Sequence, residues 1–293
     1  MYFYQINNLE DKKARFFDSY KKEIKEIDLP QDIHKIPLGF PKGVLFHPPL
    51  KNKIYAYVID NAGRKQYFYT KEYKAQMEIE KFKKFPKLIP KVNKLLLNCQ
   101  NNKTQICLAI QLMNKCNFRI GHEKYKKLYN TNGTLSINSK HISKKKNKII
   151  IQFNGKKKEL NQCTLSNKKS NLYRKLDDVE GPLFEGLCYD DVYEFLKKYG
   201  LRPKDIRQVS ANREFYEIVR GMPIEDEKKY LKEVLEKTSE KMNHTPSICK
   251  KEYLLPDWFK FKKNEVKLKE YCDKNDFEKV IKFICITPTK KKI

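Results

Sequence analysis

The amino-acid sequence predicts an α+β protein in which a small β-rich N-terminal domain (residues 1–75) precedes a larger, mainly helical domain (residues 76–293). Three observations lead to this prediction. A chain of 293 residues most naturally forms two domains. Short β-favouring runs separated by turn signals fill the first 70 residues, whereas apolar residues at helical spacing dominate after residue 71. One strong β-hairpin signal interrupts the helical part.

The predicted N-terminal strands are Val44–Phe46, Ile54–Ile59 and Gln66–Tyr69, and the turn at residues 60–63 joins the last two as a hairpin. The return strand alternates amide and aromatic side chains with basic ones. In a DNA groove, the Gln66 amide fits adenine, and Tyr67 or Tyr69 fits a thymine methyl or a phosphate. An amphipathic strand with Phe68 and one tyrosine in a core explains the same pattern equally well.

The second domain is predicted to begin with helices at Glu72–Phe85, Val92–Cys99 and Lys103–Cys116, with the proline-containing segment 86–90 between the first two. The third helix is strongly apolar and therefore buried. It ends at the segment 117–121, which contains Arg119. An arginine at the end of a buried helix is either a paired structural cation or a phosphate clamp.

A β segment follows, with strands predicted at Thr134–Ile137 and Lys148–Phe153. The pair Asn154-Gly155 is a strong hairpin signal, and it places the lysines at positions 156–158 at the start of the return strand. A lysine-rich hairpin tip is either a solvated surface or a probe of a nucleic-acid groove.

The remaining chain is predicted to be helical. Pro203 opens a helix that runs to Arg220 and carries Arg207 in its first turn. The next helix, 224–242, ends at Asn243, a residue type that tolerates the left-handed conformation. Thr245 is expected to cap another helix, and Pro246 fits the first turn of that helix. His244 then lies in the break between the two helices, and Tyr253 lies two turns into the second. Residues 254–293 form a C-terminal helical extension.

The charge of the chain favours a polyanionic partner. The sequence has 63 basic and 36 acidic residues, a net charge of +27, so nucleic acid ranks ahead of a membrane surface. Lysine accounts for 55 of the basic residues and arginine for 8, so a drift of composition toward lysine also explains part of the excess. Each arginine is therefore informative, because it is an exception in this chain.

Several classes of protein are disfavoured by the motifs the sequence lacks. The 8 cysteines have no Cys-x-x-Cys spacing and no secretory signal precedes them, so we expect free thiols in a reducing compartment. The longest apolar run, near residues 106–113, is too short to span a bilayer. No zinc-binding or nucleotide-binding motif is present, so no metal ion and no cofactor are expected.

Taken in order along the chain, the motifs around Arg119, the hairpin lysines, Arg207, His244 and Tyr253 resemble those of the type IB DNA topoisomerases, specifically the small poxvirus-like enzymes. The similarity extends from about residue 55 to residue 253, and each motif alone is weak while the ordered set is specific. The motifs that carry it are Gly63 through Tyr69, Phe118-Arg119-Ile120-Gly121, Phe153-Asn154-Gly155-Lys156, Lys204-Asp205-Ile206-Arg207, and His244-Thr245-Pro246-Ser247-Ile248 through Tyr253.

The resemblance implies a reaction in which Tyr253 attacks a phosphodiester, forms a 3′-phosphotyrosyl link and releases a 5′-hydroxyl. It implies that Arg119 and Arg207 brace the non-bridging oxygens and that His244 donates a further hydrogen bond. A lysine on the hairpin would protonate the leaving oxygen. We predict Lys156 for that role, with Lys158 as the serious alternative. Because the phosphoester energy is kept in the covalent link, the reaction would need neither ATP nor a metal.

The resemblance also implies a duplex-DNA partner, met by a monomer that closes as a clamp, with no membrane and no small-molecule cofactor involved. Its implied location is inside a cell with DNA: in a virion or a cytoplasmic viral factory if the source is viral, otherwise in the nucleus. The side chains implied to contact DNA are Arg64, Gln66, Tyr67, Tyr69, Tyr125 and Asn212. A tyrosine recombinase and a non-catalytic DNA-packaging protein are the alternatives.

Overall fold

The computed structural model describes residues 1–8, 10–60 and 63–286, apart from the side chains at positions 124, 125, 157 and 286. The chain forms two compact units, Met1–Lys83 and Lys84–Ile293. The protein is 50% helical and 19% strand, which agrees with the predicted α+β class. The sequence placed the division at residue 75, within the helix that ends the first unit.

The first unit is built on a six-stranded antiparallel sheet with the strand order β3-β2-β1-β4-β5-β6. Only the last three strands were predicted, and the β5–β6 hairpin is confirmed by its pairing. The strands are β1 (Tyr2–Asn8), β2 (Lys13–Phe17), β3 (Glu23–Ile24), β4 (Lys42–Leu50), β5 (Ile54–Ile59) and β6 (Lys65–Tyr69), and helix α1 (Lys71–Lys83) follows them.

One face of this sheet forms the core of the first unit. Its central residues Leu45, Ala56 and Val58 are at most 1% exposed, since residues from the segment 29–36 pack over them. Side chains two residues apart along a strand, such as those of Ala56 and Val58, share a face of the sheet, and the side chain between them points to the opposite side. The opposite side of the sheet therefore carries a different set of side chains, among them Tyr57.

The second unit is mainly helical and carries a three-stranded antiparallel sheet, β7-β8-β9. Helix α7 is its centre, because α2, α3, α8 and α10 all pack against it. The elements are α2 (Phe85–Gln100), α3 (Gln105–Cys116), α4 (Glu123–Tyr129), β7 (Ile142–Lys145), β8 (Lys148–Asn154), β9 (Leu160–Leu165), α5 (Asn171–Asp177), α6 (Tyr189–Lys197), α7 (Pro203–Gly221), α8 (Glu227–Lys241), α9 (Pro246–Glu252), α10 (Glu265–Lys274) and α11 (Phe277–Ile286).

Local structure departs from the sequence predictions at three places. Residues Thr134–Ser136 form a 3-10 turn where a strand was predicted. Helix α2 begins at Phe85 and continues through Pro90, so the prolines do not separate two helices there. Arg207 lies in the second turn of α7, since that helix begins at Pro203. None of the described helices is both long and apolar enough to cross a membrane.

The expectation of free cysteines throughout is wrong for four of them. Cys99 is bonded to Cys107, and Cys116 is bonded to Cys163. The first pair joins the end of α2 to the start of α3, and the second joins the end of α3 to β9. Sequence spacing gave no sign of either pair, because the packing of helices and hairpin brings the partners together.

Candidate active site

Two left-handed asparagines create the breaks in which the candidate catalytic side chains lie. Asn117 (φ 56°) ends α3 and precedes Arg119, and Asn243 (φ 52°) follows α8 and precedes His244. The predicted role of Asn243 is thereby confirmed. Thr245 caps α9 by accepting a hydrogen bond from the amide of Ile248, also as predicted. These local rules bring His244 to the start of one helix and Tyr253 to its end.

Arg207 occupies the centre of the site, with only 4% of its surface exposed. Its Nε donates to the carbonyl of Asn117 at 2.9 Å, and Nη1 donates to the Tyr253 hydroxyl at 2.7 Å. Its Nη2 donates to Nε2 of His244 at 2.7 Å. The planar guanidinium thus ties together the end of α3, the nucleophile candidate and the histidine, three segments far apart in sequence.

The contacts of His244 determine its tautomer. A neutral imidazole has one donor and one acceptor nitrogen, and an arginine only donates. The 2.7 Å bond from Arg207 therefore makes Nε2 the acceptor, and Nδ1 carries the proton. Arg119 lies on the other side of the ring, with Nη2 3.5 Å from Nδ1. That contact joins two donor groups, so Arg119 is adjacent to the histidine without a normal hydrogen bond to it.

Burial and like charge control protonation in this site. Burial, opposed in part by the adjacent Tyr253, and the charge of Arg119 lower the pKa of Arg207 to about 10, which leaves the guanidinium charged at neutral pH. Burial and the two arginines lower the pKa of His244 to about 3. The imidazole is therefore neutral at pH 7, and the positive charge of the site belongs to the arginines.

Tyr253 is 6% exposed and is the C-terminal cap of α9. Its ring stacks on the His244 ring with the centroids 4.8 Å apart, and the Arg207 guanidinium lies 4.9 Å from the ring centre. Beside it, Lys204 forms an ion pair of 2.9 Å with Glu252 and lies 5.8 Å from the Tyr253 ring centre. The phenol oxygen is therefore held by Arg207, and a second cation lies beside the ring.

Asn212, which was predicted to contact DNA, is fully buried beneath the nucleophile candidate. Its amide donates to the carbonyls of Gln208 and Tyr253 at 2.7 and 2.9 Å. Its oxygen accepts from the Leu255 amide and from Nε1 of Trp258 at 3.0 and 2.8 Å. All of its hydrogen-bonding groups are used within the protein, so in this structure Asn212 positions the backbone of Tyr253.

Lys156 lies in a short 3-10 turn, Lys156–Lys158, between β8 and β9 and is exposed. No described hydrogen bond or ion pair joins it to the four clustered side chains. The hairpin itself is attached near the site, because the Gln162 amide on β9 donates to Oδ1 of Asn243 at 2.8 Å. The turn is longer than the two-residue Asn-Gly turn of the prediction, and the backbone of Lys158 adopts φ 60° within it.

The predicted DNA-contacting residues of the first unit lie on or beside β6. Asp60 accepts from Nε of Arg64 and from the amide of Gln66, each at 2.9 Å. Tyr67 is 46% exposed, and Tyr69 packs against Tyr73 with ring centres 5.4 Å apart. The side chain of Tyr125, on α4, falls outside the described residues. Of the amphipathic alternative, Phe68 packs against the core of the first unit, whereas neither Tyr67 nor Tyr69 belongs to that core.

Two functional contributors were not anticipated from the sequence. The Asn117 carbonyl orients Arg207, and the Asn243 side chain anchors the hairpin. Both asparagines were visible as helix-ending residues, but no sequence signal indicates which distant group a cap will bind. Among the described residues, no group of three or more His, Cys, Asp or Glu side chains is placed to hold a metal ion.

A tyrosine hydroxyl beside a buried arginine, with a neutral histidine stacked on it and a second arginine adjacent, is suited to attack on a phosphodiester. Comparison with known proteins agrees with this geometry. A sequence model described as eukaryotic DNA topoisomerase I, catalytic core, matches residues 70–280. The chain belongs to this family, and its relatives place it with the small viral type IB enzymes.

Two viral relatives illustrate the similarity. The DNA topoisomerase 1B of Vaccinia virus (strain Copenhagen) is 31% identical over 216 residues, which cover 67% of this chain and 68% of the relative. The DNA topoisomerase 1B of Acanthamoeba polyphaga mimivirus is 28% identical over 232 residues, with the same coverage of 67% and 68%. The family resemblance inferred from the ordered motifs is thereby confirmed.

Proposed function

We propose that this protein relaxes supercoiled duplex DNA by cleaving one strand, allowing rotation and rejoining the strand. The observation that carries the proposal is the bond of 2.7 Å between Arg207 Nη1 and the Tyr253 hydroxyl, inside a pocket shared with Arg119 and His244. This pocket holds a nucleophile and permanent positive charge within one hydrogen-bonded group. The family membership supports the same reaction.

In the proposed cleavage step, Tyr253 Oη forms a bond to phosphorus and the bond from phosphorus to the 5′-oxygen breaks. The phenol proton passes to solvent water as the bond forms, and the 5′-oxygen receives a proton from a hairpin lysine, for which Lys156 is our candidate. Religation reverses each transfer. Because one phosphodiester is exchanged for another, the reaction needs no ATP, and charge stabilisation by the arginines requires no metal ion.

The arginines have donors to spare for the scissile phosphate. A guanidinium has five N–H groups, and Arg207 directs three of them at Asn117, Tyr253 and His244. The others are available to non-bridging oxygens. For His244 to donate from Nε2 to the phosphate, the Arg207 bond to that nitrogen must break and the proton must move to Nε2. We propose that entry of the phosphate makes this exchange, with Arg207 turning toward the incoming oxygens.

The partner in this proposal is duplex DNA, and the protein acts as a monomer that closes as a clamp around it. Arg64, Gln66, Tyr67, Tyr69 and Tyr125 remain our candidates for contacts with that duplex. A virion or a cytoplasmic viral factory is the proposed location, since the relatives described above come from viruses with DNA topoisomerases of their own.

The test is relaxation of a supercoiled plasmid in EDTA without ATP. We expect the native protein to relax the plasmid and Tyr253→Phe to be inactive while still binding DNA. Loss of only the hydroxyl leaves the ring stack on His244 intact, so the variant separates chemistry from folding. Relaxation retained by Tyr253→Phe would exclude this tyrosine as the nucleophile. Joined products from paired DNA sites would indicate a recombinase.

A further inference from the structure

The outer face of the N-terminal sheet, opposite its core, contains a groove that the proposed reaction does not use. The groove has a volume of about 450 Å³ and crosses strands β2, β1, β4 and β5. Its lining is largely apolar and aromatic, with lysines at its margin. The side chains that matter here are Tyr4, Ile6, Phe17, Lys21, Lys42 and Tyr57.

Strand register aligns the aromatic residues of this face in one row. Phe17 pairs with Tyr4, Tyr4 with Val44, and Val44 with Tyr57. Directly paired residues of antiparallel strands point to the same side of a sheet, and neighbouring strands lie about 4.8 Å apart. The rings of Phe17, Tyr4 and Tyr57 therefore lie along a line that crosses the strands. We call this line the aromatic row.

A parallel line of basic side chains lies two residues away along the same strands. Ile6 pairs with both Arg15 and Lys42, and Ile59 pairs with Lys65. The Lys65 ammonium lies 4.9 Å from the centre of the Tyr57 ring, next to the aromatic row. Arg15 is neutralised by its ion pair with Glu23, so the free positive charge of this line belongs to the lysines. We call it the basic row.

The chemistry of the two rows selects a nucleic acid whose bases are unpaired. Single-stranded nucleic acids are bound by aromatic rings on which bases stack, beside a positively charged track that follows the phosphates. Bases inside a duplex are already stacked, so they offer no free faces to the aromatic row. Among the described groove-lining residues there is no Asp or Glu, and Glu23, which pairs with Phe17 at the edge of this face, is held in an ion pair with Arg15.

We propose that this aromatic and basic face binds single-stranded nucleic acid. In this site the bases stack on Tyr4, Phe17 and Tyr57, and the phosphates follow the basic row at Lys42 and Lys65, with Lys21 meeting a further phosphate at the groove margin. The site adjoins the candidate duplex contacts, because Tyr67 on β6 pairs with Tyr57 and the two ring centres lie 6.2 Å apart. It does not depend on the proposed strand cleavage, because binding requires no catalytic residue.

The test measures fluorescence anisotropy of a labelled oligothymidylate, with a labelled hairpin duplex as the comparison. The full-length protein carries Tyr253→Phe, so that neither probe is cleaved. We expect the exposed double variant K21E/K42E to weaken oligothymidylate binding about tenfold or more, because two phosphate contacts become repulsive. Tyr57→Ala should weaken it about tenfold through loss of one stacked base, whereas Tyr57→Phe should retain it.

Lys237→Glu, an exposed charge reversal on α8, is the control. Its oligothymidylate affinity should stay within about twofold of that of the parent protein. Plasmid relaxation by the native-Tyr253 forms of K21E/K42E and Lys237→Glu should stay unchanged. Photo-crosslinking of the oligonucleotide should map to Tyr4 or Tyr57. Unchanged oligothymidylate affinity in both K21E/K42E and Tyr57→Ala would overturn the proposal. Equal loss of duplex and single-strand binding would also overturn it, by assigning this face to the duplex site.

Discussion

The guanidinium of Arg207 donates to the Tyr253 hydroxyl at 2.7 Å. The same group is held by the Asn117 carbonyl and the His244 ring, so its plane is fixed by three partners. A cation that donates to the phenol oxygen stabilises the negative charge that develops there as the tyrosine attacks. The pairing also orders the tyrosine, whose ring contacts both the imidazole and the guanidinium.

Arg207→Lys tests whether this planar geometry is needed. A lysine keeps the charge but has one nitrogen, which cannot direct donors at Asn117, Tyr253 and His244 together. We expect the rate of covalent adduct formation on a suicide DNA substrate to fall about 10²–10³-fold. Arg220→Lys, at the exposed end of the same helix, is the matched control and should cleave normally. A normal rate for Arg207→Lys would show that charge alone suffices.

The protonation of His244 links stability to pH. Its pKa is about 3 in the folded protein and about 6.5 when unfolded. As pH falls below about 6.5, the unfolded chain takes up a proton that the folded site refuses, so His244 makes stability fall between about pH 6.5 and pH 3. Native carboxylates with lowered pKa values add a trend of the same sign, so only a comparison with a variant isolates the histidine.

His244→Gln removes this titration and is the comparison required. We expect the native protein to lose more unfolding free energy than the variant when the pH is lowered from 7 to 5. Urea unfolding followed by circular dichroism at several pH values measures both. Parallel pH dependences for the two proteins would show that the histidine is protonated normally in the folded state.

Asn212 offers a test of how the nucleophile is positioned. Asn212→Ala leaves the buried amide of Leu255, the indole nitrogen of Trp258 and the carbonyl of Tyr253 without their partner. We expect a loss of about 3 kcal/mol in unfolding free energy and slower cleavage by the fraction that stays folded. Ser210→Ala, on the same helix, removes one hydrogen bond to Asn114 and should cost about 1 kcal/mol.

Thermal unfolding and single-turnover cleavage measure the two effects of Asn212→Ala separately. Slower cleavage well below the unfolding temperature would support a positioning role, because nearly all of the protein is folded there and unfolding cannot explain the lower rate. A variant that is destabilised but cleaves at the native rate would restrict Asn212 to a structural role.

The sequence predicted well where function depends on residue type and local rules. The left-handed Asn243, the Thr245 cap and the order of the four clustered side chains follow from propensities, motif spacing and family resemblance. Family membership is confirmed by the catalytic-core match. Local rules fix the backbone at Asn243 and Thr245, and the family resemblance supplies the order of the four side chains.

The sequence predicted poorly where distant segments meet. The burial of Asn212, the bonding of Cys116 to Cys163 and the register that aligns Tyr4 with Phe17 all depend on tertiary packing. An asparagine has the same identity whether it faces DNA or lies under a helix, so only the fold distinguishes these roles. Likewise, strands β1 and β2 were missed, although their pairing with each other and with β4 forms the outer face of the sheet.

The identity of the general acid is the last prediction. Lys156 and Lys158 are both exposed in the turn between β8 and β9, and the Lys158 backbone adopts a left-handed conformation, unlike an ordinary strand residue. We expect Lys156→Ala to slow cleavage about 10²–10⁴-fold, because the 5′-oxygen then leaves without a proton. A 5′-phosphorothiolate substrate should restore the rate, since its sulfur leaving group needs none. Lys158→Ala is the matched control, and rescue of that variant alone would assign the acid to Lys158.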